Sequence, residues 1–171
     1  MAYDIERIVA QVAETVKEQA SLAVPKDAPP PFEGKMSLAL ARALIEGVRA
    51  EARRMGVRSV VAVADAGGNP VSIDCDDGAY YASYDIAVNK AYTSVALKMP
   101  TARLATLAAP GGSLYGIQHT NGGRIVIFGG GDPLPYGGEI AGGIGVSGGS
   151  AEEDTALSAY GAELFFRLTH K

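Results

Sequence analysis

Glycine is crowded into one part of this chain, and the crowding limits what the chain can become. Of 22 glycines, 20 lie from Gly56 onward and 15 fall between Gly111 and Gly149. Such density calls for tight turns, left-handed backbone and close approach of one segment to another. The spacing is too irregular for a collagen triple helix. Val, Ile and Phe are interleaved throughout, which a disordered tract would lack. The stretch therefore reads as packed structure in which glycine makes room for neighbours.

The elements around it follow from hydrophobic spacing. Leu38, Ala41, Ile45, Val48, Ala52 and Met55 form a helical stripe that stops at Gly56. Ser59–Asp65 and Pro70–Cys75 read as strands, joined by a tight hairpin turn over Ala66–Asn69. A helix is expected over Ala82–Leu97, and a shorter one from Pro100-Thr101 to Pro110-Gly111. A loop, Gly112–Thr120, and the turn Asn121–Gly123 lead to an expected strand Arg124–Phe128, broken at Gly129–Pro133. A final hairpin carries Glu139–Ser147, and Ser150 with Glu153 forms a capping-box pattern for a helix ending near Leu168. Hairpin-linked strands interspersed with helices imply an α+β fold, an antiparallel sheet covered by helices.

Ahead of this domain, assigned to residues 36–171, stands a different kind of segment. Ile5, Ile8, Val9, Val12 and Val16 lie on one face of an expected amphipathic helix within residues 1–22. Residues 23–35 hold four of the nine prolines and form a semi-rigid tether. A helix this short is marginal alone in water, so its apolar stripe must dock. It packs on its own domain or on a sister subunit, or it serves as a docking peptide that recruits the protein to a partner assembly.

The 171 residues hold 15 Lys and Arg against 19 Asp and Glu, a net charge of −4 with no basic cluster, which argues against nucleic-acid binding. The single cysteine, Cys75, allows neither an internal disulfide nor a Cys-rich metal site, and two histidines, His119 and His170, are too few for a His-cluster zinc site. No apolar run suits a membrane span and the N-terminus lacks the pattern of a secretory signal, so a cytoplasmic protein is expected.

Few residues suggest chemistry. Gly143-Ile144-Gly145-Val146-Ser147-Gly148 fits the dinucleotide spacing but lies inside an expected strand. There its glycines admit a helix or a second subunit close to the backbone. Gly148-Gly149-Ser150, at a helix N-terminus, is a candidate anion site or simply the entry to a capped helix. Two readings of Lys90 stand: a structural ion pair with Asp85 or another carboxylate, or a base or imine former with a lowered pKa. Asp65 reads as a turn acceptor. Cys75 sits among Asp74, Asp76 and Asp77, whose charge disfavours a thiolate. His119, beside Gln118 and Thr120, is either a solvated loop residue or a haem axial ligand. Tyr115, Tyr92 and Met99 belong either to an apolar pocket or to the core.

Five motifs taken together carry a resemblance. Val63–Asn69, Asp85–Ala91, Gly112–Gly116, Phe128–Pro133 and Ile144–Gly149, in this order, resemble the GlcG/HbpS family, and within it the haem-binding proteins like the C-terminal domain of PduO. The resemblance implies a profilin-like fold with a five-stranded antiparallel sheet flanked by helices. It further implies a homo-oligomer, dimer or higher, and an accessory role binding haem or another small ligand; an enzyme acting on a small oxygenated metabolite through Lys90, with Asp85 beside it, and a non-catalytic scaffold are the alternatives. His119, Tyr115, Gly129, Gly130, Gly148 and Gly149 are then the cofactor-binding candidates, with His119 as the haem-iron ligand. The first domain helix has no histidine, so ligation falls to His119, a tyrosine, a methionine or a hydroxyl. With the tethered helix at residues 1–22, the resemblance also implies cargo of a bacterial microcompartment, docked on its shell.

Overall fold

Strand β1, Val60–Asp65, is the axis of the structure because its alternate side chains serve two separate cores. The computed structural model describes residues 33–170, so the amphipathic segment 1–22 and most of the tether lie outside the described residues. Val61 and Val63 face one layer, where they meet Leu44, Ile45 and Val48 of α1 (Leu38–Arg54) and Leu157 and Phe165 of α4 (Ala151–Thr169). Val60, Ala62 and Ala64 face the other layer, against Ala87 and Ala91 of α2 (Ala82–Leu97). This is the period-2 alternation of a sheet covered on both faces.

The remaining strands are β2 (Pro70–Cys75), β3 (Gly131–Tyr136) and β4 (Glu139–Ser147), and the short helix α3 spans Thr101–Ala108. The sheet runs β2–β1–β4–β3 with every pair antiparallel. Asp65 closes the first hairpin, its Oδ1 accepting from the N–H groups of Gly67 (2.8 Å) and Asn69 (2.9 Å). It is the turn acceptor its sequence context suggested. The Ser37 hydroxyl caps α1 by accepting from Leu40 N–H, and Ser150 and Glu153 form the expected reciprocal box on α4.

The glycines of β4 explain how α2 reaches the sheet. Gly143 and Gly145 pair with Ala64 and Ala62, so all four lie on the α2 face. A Cβ at Gly145 would stand 2.0 Å from the carbonyl oxygen of Ala87, and one at Gly143 would stand 2.6 Å from that of Ala91. Helix backbone rests on strand backbone here, and the dinucleotide-like spacing has this packing as its cause.

Two expectations are corrected. The sheet has four strands among the described residues, where the family resemblance implied five. Arg124–Phe128 is not a strand: the Val126 N–H donates to Thr93 Oγ1 of α2 (3.0 Å), and the Thr93 hydroxyl lies 3.3 Å from the Arg124 carbonyl. A helix side chain thus takes bonds that a neighbouring strand would supply. The strand instead begins at Gly131, within the expected break, and contains Pro133 and Pro135. An edge strand tolerates prolines because one row of its N–H groups has no ladder partner.

Candidate functional site

A cavity of about 270 Å³ opens where the N-terminal end of α2 meets the β4–α4 turn. Ser83 and Ile86 of α2, Phe128, Ser147 at the end of β4, Gly149 and Asp154 are among its lining residues. Behind this wall lies Lys90, fully buried. Its Nζ donates to the Val146 carbonyl at 2.7 Å and to Asp154 Oδ2 at 2.8 Å. The Phe128 ring covers the ammonium, with its centroid 4.9 Å from Nζ. Asp154 is held in turn by the Gly149 N–H, which donates to Oδ1 at 3.0 Å. Burial pushes the Lys90 ammonium below its usual range and the Asp154 carboxyl above its own, and the charge and hydrogen bond of each partner oppose that drift.

The pair settles which carboxylate Lys90 meets. It is Asp154, whereas Asp85 is exposed. With two acceptors and an aromatic face around it, the ammonium is engaged as a structural cation. Gly129 and Gly130 make the space: a Cβ at Gly130 would stand 2.6 Å from Lys90 Nζ, and one at Gly129 would stand 2.0 Å from Thr155 Oγ1. Gly148 and Gly149 line the cavity itself. Two of the donors at the start of α4 are engaged by its own acids. Gly149 N–H serves Asp154, and Ser150 N–H serves Glu153 Oε2 at 2.8 Å.

His119 and Tyr115 lie elsewhere. Neither lines the cavity. His119 ends a single 3-10 turn, Ile117–His119, and is exposed, as is Tyr115 at 67%. This 112–124 loop is fastened to α2 by Asn121 Nδ2, which donates to the Tyr92 hydroxyl (3.3 Å), and by Arg124 stacked 3.6 Å over the Tyr92 ring. Tyr92 therefore anchors the loop instead of lining the cavity. Beside His119, Gln118 Oε1 is buried with no hydrogen-bond partner among the described residues. His170 stacks on Phe166 at 4.3 Å and belongs to the end of α4.

The cofactor candidates are thus divided: Gly148 and Gly149 line the cavity, Gly129 and Gly130 pack behind it against Thr155 and Lys90, and the imidazole and phenol lie on the loop. Sequence reasoning missed Asp154, Phe128 and the serines of the cavity. The acidic first turn of α4 holds Glu152, Glu153 and Asp154, but the sequence reading used only the Ser150–Glu153 capping box there.

Residues 36–163 match the sequence family described as haem degrading protein HbpS-like. The chain belongs to the HbpS-like family. An uncharacterised 15.0 kDa protein from the dhaT–dhaS intergenic region of Citrobacter freundii is 41% identical over 133 residues, covering 78% of this chain and 94% of that one. The corrinoid adenosyltransferase PduO of Salmonella typhimurium is 38% identical over 119 residues, 70% of this chain. The match spans only 34% of PduO, about a third of its length. The crystal structure of a PduOC–haem complex superposes with a TM-score of 0.72 at 32% identity, covering 75% of this chain and 94% of that chain. No helix among the described residues is long and apolar enough to cross a membrane.

Proposed function

We propose that this HbpS-like protein is a haem-binding accessory protein that works as an oligomer. The observation that carries the reading is the PduOC–haem complex, a domain of the same fold at 32% identity crystallised with haem. Two features of this chain bear on where haem would sit. The cavity, at about 270 Å³, falls below the roughly 300–1,000 Å³ of ordinary ligand pockets and does not enclose a macrocycle. The 112–124 loop, in contrast, offers an exposed imidazole and an exposed phenol, both side-chain types that ligate haem iron. His119 is the residue that would hold the iron, with Tyr115 as the second donor on the loop.

Bound haem would supply a redox-active iron, which His119 would hold. The chain's own part is to present the imidazole and exclude water from it. A loop so exposed on one protomer gains that exclusion from a second copy, which is why an oligomer belongs to the reading. Gln118 Oε1, buried with no hydrogen-bond partner among the described residues, supports contact with a second copy at this loop. The likeness to PduO and the amphipathic residues 1–22 extend the reading to cargo of a bacterial microcompartment, with that segment docking on the shell.

Titration of the purified full-length protein with hemin tests the core of this reading. A Soret band that saturates at one haem per chain, and weakens or shifts in His119→Ala, is expected. No spectral change at stoichiometric hemin would overturn it.

A further inference from the structure

The cavity beside Lys90 and Asp154 is left without a role by the haem reading, and its walls specify a ligand of their own. Ser83 and Ser147, 3% and 5% exposed, both line it. Their hydroxyl oxygens lie 3.1 Å apart, so one donates to the other. Two hydroxyls carry two protons, and that bond uses one; the second has no acceptor among the described residues. A buried hydroxyl left undonated is costly, and a ligand oxygen in the cavity would relieve it.

Charge is excluded by the same inventory. Lys90, behind the wall, is already shared between Asp154 and the Val146 carbonyl. The nearest anion, Asp154, is already shared between Lys90 and the Gly149 N–H. The Ser150 N–H at the start of α4 is held by Glu153. A charged ligand would lose its hydration and find the charged side chains of Lys90 and Asp154 already paired with each other. The other lining side chains are apolar, from Ala82, Ile86, Phe128 and Ala151, apart from the largely exposed Tyr80. We propose that this cavity binds an uncharged short-chain molecule whose acceptor oxygen, a hydroxyl or a carbonyl, receives the free proton of the Ser83–Ser147 pair. Phe128, 42% exposed, is the wall between solvent and the buried ion pair, and it supplies apolar contact to the chain of the ligand.

The test uses the full-length protein labelled with nitrogen-15, and n-butanol and butanone as neutral probes. Butyrate and n-butylammonium, of the same length, are the charged controls. Saturable shifts in the amide signals of Ser83, Gly148 and Gly149 are expected with the neutral probes only. Ser83→Ala should weaken binding by about 2- to 10-fold, the worth of one neutral hydrogen bond. Ala151→Leu, at the exposed first residue of α4, should fill the cavity and abolish the shifts without disturbing the core. Absent or unsaturable shifts with the neutral probes, unchanged binding in Ala151→Leu, or equal binding of a charged control would each overturn the proposal. The probes contain no haem, so the outcome is independent of the hemin titration.

Discussion

Glycine does opposite work in two regions of this molecule. Around α2 it lets atoms meet: added Cβ atoms at Gly130, Gly143 and Gly145 would each come within 3 Å of a neighbour. In the 112–124 loop, Gly116, Gly122 and Gly123 adopt positive φ with nothing within 4 Å of an added Cβ. The first region is closed and holds a buried ion pair. The second is open and presents exposed donors. One residue type, abundant in both, thus builds an interior wall and a surface loop, and only the neighbours tell them apart.

The largest effect expected from this contrast is at the ion pair. Asp154→Ala strands Lys90 as a buried charge and should cost about 3–5 kcal/mol in a denaturant titration. The double change Lys90→Met with Asp154→Leu should recover most of that loss, since removing both charges is far cheaper than removing one. A loss under 1 kcal/mol for Asp154→Ala would mean that the region is wetter than described.

Next comes the packing of strand against helix. Gly145→Ala places a methyl 2.0 Å from the Ala87 carbonyl and should destabilise by about 1–3 kcal/mol. A carboxylate paired nearer to solvent gives a further check. Burial raises the pKa of Asp76, but hydrogen bonds from Arg49 and Ser59 and the Arg49 charge outweigh it and hold the carboxyl below its usual 3.8. A folded-state pKa below the unfolded value gives stability that is present above about pH 3.8 and lost as pH falls through the folded value. Asp76→Asn should therefore lower stability at neutral pH and flatten the decline below pH 3.8 in acid unfolding curves. The smallest effect belongs to the loop, where His119→Ala should stay within about 0.5 kcal/mol of wild type.

Much of the framework could be read from residue order. The bounds of α2, the Ser150–Glu153 box, the Asp65 turn and the role of the β4 glycines all follow from local chemistry. Arg124–Phe128 was misread because a β-branched run reports burial and extension, not the partner of its backbone. Its bonds go to the Thr93 hydroxyl, a choice made by tertiary packing. β3 was obscured by Pro133 and Pro135, which are acceptable only because the strand lies at the sheet edge. The Lys90–Asp154 pair joins residues 64 apart, and nothing in either neighbourhood names the other. Individual donors were legible on the loop, whereas at the cavity the site exists only once distant segments meet.

Hemin titrations of wild type, His119→Ala and Ala151→Leu, run side by side and followed in the Soret region, test the division between loop and cavity most directly. The expected result is a weakened or shifted band in His119→Ala and a wild-type band in Ala151→Leu. A normal band in His119→Ala together with a lost one in Ala151→Leu would put the haem at the cavity and contradict the account.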